Sequence, residues 1–452
     1  MARILTRTLA FVLVVFYIAP CLAFRVLGLA PTTTRAVPKT SLMMSTIDKK
    51  AERKRIMSSE KFNRMGFKDE RADVSDRMVQ EFTSDLIEKL AEPATKEYTN
   101  GLVTVRLAEK YGLCWGVERA IAMTFEAAAK FKDRKVHMTN ELIHNPQVNE
   151  KLEEMNVNIM SKVEGPKDFD SVQPNDIVVL PAFGASLEEM QTLDEKGVQI
   201  VDTTCPWVTK VWNVVDKQVK AGFTTIIHGK WAHEETVATA SFAETYLIVK
   251  DIKEAEYVCN YVINGGDKEE FMAKFKNAMS KGFDPDKDLG KVGLANQTTM
   301  YKKETRAIGQ LLQKTMMRAH GPEKIGETYI EFDTICDATQ ERQDAIQELL
   351  ADQSLDFILV VGGWDSSNTA HLLEIPIHAG KRAYHVDRSD RIRPDGSIEH
   401  RTVDGAIEVQ ENFLPKGPVR LGITSGASTP DAYVQKCLDQ IFLLKSLEEG
   451  QQ

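Results

Sequence analysis

Three cysteines stand alone in segments that look alike. TVRLAEKYGLCWGVERAI, VQIVDTTCPWVTKVW and YIEFDTICDATQERQDAI hold Cys114, Cys205 and Cys336, separated by 91 and 131 residues. Structural zinc favours close pairs of the C-x2-C kind and a closed fourth position, so this spacing speaks against it. Three thiolates on an iron-sulfur cluster would leave one iron without a protein ligand, open to a substrate oxygen. An inert buried thiol is the alternative at each position. Cys259, on a strand-like segment, and Cys437, on a helix, are assigned to it. Short donors recur just ahead of helix starts: His144 in ELIHNPQV, His233 in KWAHEET, Ser366 and Asn368 in GWDSSNTAH, and Ser428 in SGASTPD. Such donors, with helix N-termini behind them, form an anion site. Capping is the plainer role for Ser and Asn there, and a satisfied structural imidazole is the plainer role for His. Glu235, two residues beyond His233, is the candidate acid, because a water-poor pocket raises a carboxyl pKa and lets it protonate a leaving hydroxide. Glu234 is its rival, and a solvated first-turn glutamate is the bland reading of either.

The elements that must position these residues repeat. From Leu102 onward a β-branched apolar run, a loop rich in Gly, Ser, Thr, His or Cys, and an amphipathic helix follow one another. The clearest runs are IVVL after Asp176, TTII after Phe223, VGLA after Lys291, FILVV after Asp356 and RLGIT after Val419. This alternation predicts an α/β fold with parallel sheets, and ligands of such sheets bind at the carboxyl ends of the strands, where the polar loops fall. Asp202 to Cys205 and Asp333 to Cys336 share Asp-Thr-x-Cys, a faint internal repeat. The expected arrangement is therefore three α/β lobes, each offering one thiolate to a common centre. Its boundaries are a leader at 1–47, a charged extension at 48–100, lobes at 101–205, 206–334 and 335–440, and a tail at 441–452. The extension has helical patches such as Val79 to Leu90, and Lys268 to Gly290 enlarges the second lobe.

The chain of 452 residues, 42% hydrophobic and 27% charged, can bury a sizeable core. A net charge of -9 and the lack of a Lys/Arg block with interleaved aromatics exclude a nucleic-acid partner, while a few local donors can still bind an anion. At the N-terminus, Arg3 and Arg7 precede the apolar run Leu9 to Ala19, which is short for a membrane span and is followed by Cys21-Leu22-Ala23. No acidic residue occurs from Phe24 to Ile47, where Thr, Ser, Pro, Arg and Lys are common. A signal peptide followed by a transit-like segment predicts delivery to a plastid bounded by extra membranes, with no membrane segment in the mature form. Five cysteines outside the leader, in a body too large to need staples, argue against secretion.

Eight segments in order, YGLCWGVERAI, ELIHNPQV, VDTTCPWV, AHEET, NQTTM, DTICDAT, GWDSSNTAHL and SGASTPDAYV, make the chain resemble the 4-hydroxy-3-methylbut-2-enyl diphosphate reductases. LPAFGAS and VDTTCPWVTKVW look like their plastid and cyanobacterial branch. The resemblance implies a trefoil of three α/β lobes around a central 4Fe-4S cluster, with Cys114, Cys205 and Cys336 as its ligands. It implies the last step of the non-mevalonate isoprenoid pathway, reductive dehydroxylation to isopentenyl and dimethylallyl diphosphate. It further implies His144, His233, Ser366, Asn368 and Ser428, with Ser367 beside them, as diphosphate ligands. Glu235 matches the proton donor, Thr298 or Thr299 the hydroxyl that steadies it and the substrate alcohol, and Gln297 a support. Ferredoxin would supply electrons in the plastid stroma, and no GxGxxG segment suggests direct NAD(P)H or flavin binding. Phe183 stands where many bacterial relatives carry a phosphate-binding His, so either a neighbour such as Ser186 compensates or the site works with one donor fewer. Two rival readings remain at this level: a redox-neutral iron-sulfur dehydratase, and a non-catalytic phosphate-binding or metal-sensing module.

Overall fold

The β-branched runs become strands buried along their length, save for half-buried Arg420 in the last, as two-sided burial under helices requires of parallel sheets. The computed structural model describes residues 48–450 apart from 93 and 161–166, so the expected leader at 1–47 lies outside the described residues. The first sheet runs β1 (Phe62–Asn63), β7 (Gln199–Asp202), β6 (Ile177–Leu180), β4 (Val136–Met138), β5 (Val157–Ile159), all parallel. The second runs β11 (Tyr329–Glu331), β10 (Val292–Asn296), β8 (Thr224–His228), β9 (Tyr246–Val249), again all parallel. The third runs β15 (Ile407–Gln410), β14 (Ile398–Arg401), β13 (Ala383–Val386), β12 (Phe357–Val361), β16 (Val419–Ser425), β3 (Val103–Leu107), β2 (Glu97–Asn100). It is parallel from β13 to β3 and antiparallel at both margins. The chain thus folds as three α/β regions built on parallel sheets.

The division into lobes differs from the expected one. Strand β3 does not open the first lobe at 101. It pairs with β16, Val105 opposite Leu421, and buries Val103, Val105 and Leu107 in the core of the third sheet. The extension at 48–100 does not merely wrap the core: it supplies β1 and β2 and buries Ile56, Phe82, Ile87 and Leu90. The last helix, Asp431–Glu449, runs through the expected boundary at 440 with Ile441 fully buried. Cys259 lies on the helix Ile252–Asn264, where a strand-like segment was expected, and it packs in the second lobe's core. Its β-branched neighbours Val258 and Val262 fit a helix because they fall four apart on one face.

The cysteines stand at the crossings between lobes. Cys114 follows β3 of the third sheet and begins the helix Trp115–Lys130, whose Ile121 and Phe125 pack with Val136, Ile177 and Val201 of the first sheet. Cys205 follows β7 of the first sheet and begins Pro206–Lys220, which touches β8 and β10 of the second. Cys336 follows β11 of the second and begins Asp337–Leu350, whose Ile346 and Leu349 pack with Ile358 and Val360 of the third. Each thiol marks a passage from one lobe to the next.

Candidate functional site

The three crossings share one hydrogen-bond pattern. The amide of Cys205 donates to Ala182 O at 2.8 Å, two residues past the end of β6. That of Cys336 donates to Thr298 O at 3.4 Å, two past the end of β10. That of Cys114 donates to Ala427 O at 3.0 Å, two past the end of β16. The Asp-Thr-x-Cys repeat has a matching cause: Thr203 Oγ1 donates to Leu180 O and Thr334 Oγ1 to Asn296 Oδ1, each reaching the end of the neighbouring strand. The sheets therefore present their cysteines to the centre in equivalent ways.

All three cysteines occupy helix N-cap positions, yet none of their side chains makes a capping hydrogen bond. Ser, Thr, Asp or Asn would cap better, so these positions serve something other than helix stability. The thiols are free and partly buried. Burial pushes Cys205 up to about 11 and Cys336 up to about 12, although amides of Trp207 and Val208, and of Ala338 and Thr339, donate towards the sulfurs. Left alone, these two are neutral thiols, and a cation is what would make them thiolates. Space for sulfur is provided by Gly116, where a Cβ would fall 2.5 Å from Cys205 Sγ. Three soft donors from three lobes, with room kept between them, fit an iron-sulfur cluster.

Around the thiols, Cys114, Cys205, Cys336, His144, His233, Glu235, Thr298, Thr299, Ser366, Ser367, Asn368 and Ser428 line one cavity of about 120 Å³. These twelve residues, singled out from the sequence for chemistry, are thus brought to one place, while Glu234, Gln297 and Ser186 are not among its lining. Ile143, Trp207 and Val208 complete its apolar wall, and Thr339 also lines it. The sequence reading passed over Thr339, although its place three residues past Cys336 in DTICDAT was a usable signal.

Glu235 is 3% exposed. Thr298 donates to it twice, from its amide to Oε1 at 2.6 Å and from Oγ1 to Oε2 at 2.9 Å. Burial outweighs these bonds and raises its pKa to about 7, so the carboxyl holds its proton near neutrality. Glu234 is more exposed and instead approaches His144 Nε2 at 3.6 Å and His233 Nδ1 at 4.0 Å. Thr299 Oγ1 accepts from Gln297 Nε2 at 2.7 Å, and the same amide reaches Ser367 Oγ at 3.3 Å.

The two histidines are shifted in opposite directions. His233 caps its own helix, Nδ1 accepting from the Glu235 amide at 3.1 Å. Burial, His144 and Lys230 lower it to about 3, so the ring is neutral and carries its proton on Nε2 as a donor. Burial also works against a proton on His144, but Glu141 and Glu234 overcome it and hold the pKa above the ordinary value. Ligand atoms of His144, His233 and Glu234 lie within 4.8 Å of one another, a grouping that could hold a cation. With His144 disposed to stay charged and His233 already spending Nδ1, it suits an anion better. Ser366 caps the helix Ser367–His378, Asn368 Oδ1 accepts from the Ala427 amide at 2.9 Å, and Asn368 Nδ2 is buried without a partner among the described residues. Ser428 Oγ donates to His144 O at 3.3 Å. The Phe183 ring stacks on His144 at 4.9 Å and 18°. Ser186 is not among the residues that line the cavity; its Oγ accepts from the Glu189 amide in a capping box.

Fold and site together define a three-lobed α/β enzyme of a small anionic substrate, built around a thiol-lined centre. The chain belongs to the LytB family, the 4-hydroxy-3-methylbut-2-enyl diphosphate reductases. The family described as LytB protein matches residues 105–442. A 4-hydroxy-3-methylbut-2-enyl diphosphate reductase of a Cyanothece species is 52% identical over 401 residues, covering 88% of this chain and 98% of its own. The enzyme of the same name from Botryococcus braunii, described as chloroplastic, is 57% identical over 355 residues, covering 77% of this chain and 71% of its own. In fold, the chain is similar to the E-1-hydroxy-2-methyl-but-2-enyl-4-diphosphate reductase of Plasmodium falciparum, with a TM-score of 0.55 at 22% identity. That match covers 74% of this chain and 86% of the other.

Proposed function

We propose that this chain reduces 4-hydroxy-3-methylbut-2-enyl diphosphate to isopentenyl and dimethylallyl diphosphate, the last step of the non-mevalonate pathway. The observation that carries this reading is the convergence of three lobe-crossing thiols and a protonated, buried carboxyl on one anion-lined cavity. Cys114, Cys205 and Cys336 would hold a 4Fe-4S cluster, which when bound supplies electrons one at a time and an iron free of protein thiolate. The diphosphate is held by protonated His144, by His233 Nε2–H and by Ser366, Ser367, Asn368 and Ser428, with the Asn368 amide as a ready donor. This fixes the allylic alcohol against the thiol side of the cavity, and the apolar wall of Ile143 and Val208 excludes water. Glu235 delivers the proton with which the hydroxyl leaves as water, and Thr298 orients the carboxyl and steadies its anion afterwards. Two electrons and two protons turn the alcohol into one alkene and one water, and protonation at either end of the allyl unit gives the two products.

We further assign ferredoxin as the electron donor and the plastid stroma as the location, which the leader composition and the chloroplastic relative support. Among the described residues, no helix is long and apolar enough to cross a membrane. The test is turnover of the hydroxylated diphosphate by anaerobically purified protein, with and without reduced ferredoxin. Both products should form only with the reductant. Water loss without it would turn the enzyme into a redox-neutral dehydratase.

A further inference from the structure

Two arginines tie the thiol-bearing segments to one another. Arg119 lies five residues past Cys114 on the helix that Cys114 begins. Its Nη1 donates to the carbonyls of Thr203 at 3.3 Å and Thr204 at 3.4 Å, the two residues just before Cys205. Its Nη2 donates to Arg64 O at 2.8 Å. Arg342 lies six residues past Cys336 on the helix that Cys336 begins. Its Nη2 donates to Tyr111 O at 3.1 Å and Gly112 O at 2.7 Å, in the loop that leads to Cys114. Gly112 accepts this contact in a left-handed conformation, φ +70°, where a Cβ would also strike Asp431 Oδ1. The third junction is neutral: Gln218, on the Cys205 helix, donates to Leu294 O of β10 at 2.8 Å.

Through each arginine the helix of one cysteine thus grips the loop that leads to another. Both also face the sulfurs electrically, Arg119 interacting with Cys205 and Asp202, and Arg342 with Cys114 and Cys336. Arg342 is only 4% exposed, and among the described residues neither arginine has a carboxylate within ion-pair distance. Asp202 acts on Arg119, and Glu341 and Asp431 on Arg342, only from beyond that distance, and a group of thiolates at the centre would add negative charge to which both arginines are already turned.

We propose that Arg119 and Arg342 are the positioning residues of the thiol centre. They fix the spacing of the three sulfurs, and their charge makes the bound cluster easier to reduce, since reduction adds negative charge beside them. This rests on the cluster reading above. The test uses the cluster-loaded chain, first the parent, then Arg119→Gln, Arg342→Gln, Arg342→Lys and a control, Lys445→Gln. Lys445 is a buried cation that donates to Pro415 O at 2.9 Å on the last helix. The readouts are iron content, the midpoint potential from a redox titration followed by electron paramagnetic resonance, and the half-life of the cluster in air. Both glutamine variants should show a more negative midpoint and bleach several-fold faster than the parent. Arg342→Lys should keep the parent's midpoint but bleach faster, because one ammonium cannot reproduce the fork. Lys445→Gln should lower thermal stability and leave the midpoint alone. Glutamine variants with the parent's midpoint and air half-life would overturn the proposal. If they do not fold, Arg342→Lys bleaching at the parent's rate would overturn it instead. A parent without iron-sulfur would remove the reading on which it rests.

Discussion

Glu235 sets the pH dependence expected of turnover. Its carboxyl is lifted by burial to about 7, and its task requires the protonated form. The proton is present below about pH 7 and lost above it, so the rate should fall as pH rises through neutrality. Glu235→Gln should retain iron and lose about 10²-fold or more in kcat, the usual scale of general-acid effects, and its remaining rate should lose that alkaline limb. Near-parent rates would pass the role to Glu234, whose position between His144 and His233 suits a diphosphate neighbour better. The sequence singled out Glu235 by its place in AHEET and left Glu234 as its rival. Glu234 and Glu235 are adjacent in the first turn of a helix, and only the fold shows one side chain enclosed under Thr298 and the other facing the histidines. The reverse holds for Ser366, whose place just before a helix was legible from GWDSSNTAH alone; Asn368, expected there too, lies inside the first turn.

Helix starts are the elements that do most here. The cysteines, His233 and Ser366 all occupy N-caps, so the amide ends of five helices meet at one cavity. Gly116, in the first turn behind Cys114, tests how closely the elements are fitted. Alanine inside a helix normally stabilises by about 1 kcal/mol over glycine. Here its Cβ would press on Cys205 Sγ. Gly116→Ala should therefore keep or raise the melting temperature of the cluster-free protein and still lower iron retention after reconstitution. Equal retention would mean that the sulfur has room to move. The sequence disclosed the strands that are buried on both sides, β6, β8, β10, β12 and β16, because each is a run of β-branched residues closed by a polar loop. It did not disclose β1 and β2. These are a two-residue and a four-residue edge strand made of Phe62-Asn63 and Glu97-Tyr98-Thr99-Asn100, too short and too polar for a period to register.

At the level of the whole molecule, the lobes are joined out of step with the chain. Alternation of strand and helix announces parallel sheets but is silent about which distant strands pair, so the placement of β3 beside β16 was beyond reach of the sequence. The consequence is that the extension at 48–100 is structural. Arg64 within it pairs at 2.9 Å with Asp202, which is 2% exposed and also accepts from the Thr204 amide beside Cys205. Arg64→Ala leaves that carboxylate with its Thr204 bonds but without its close cation and should cost roughly 3 kcal/mol, read as a lower denaturant midpoint, with poorer cluster retention. An unchanged midpoint would show the pair to be dispensable. The central claim is that three sheets deliver three thiols to one cluster with one iron left free. Mössbauer spectroscopy on anaerobically purified, iron-57-labelled protein tests it most directly. About four irons per chain are predicted, one distinct from the other three and altered by adding the diphosphate substrate, with the signal lost in Cys336→Ser. A chain that binds no iron, or one in which Cys336→Ser leaves the spectrum intact, would contradict it.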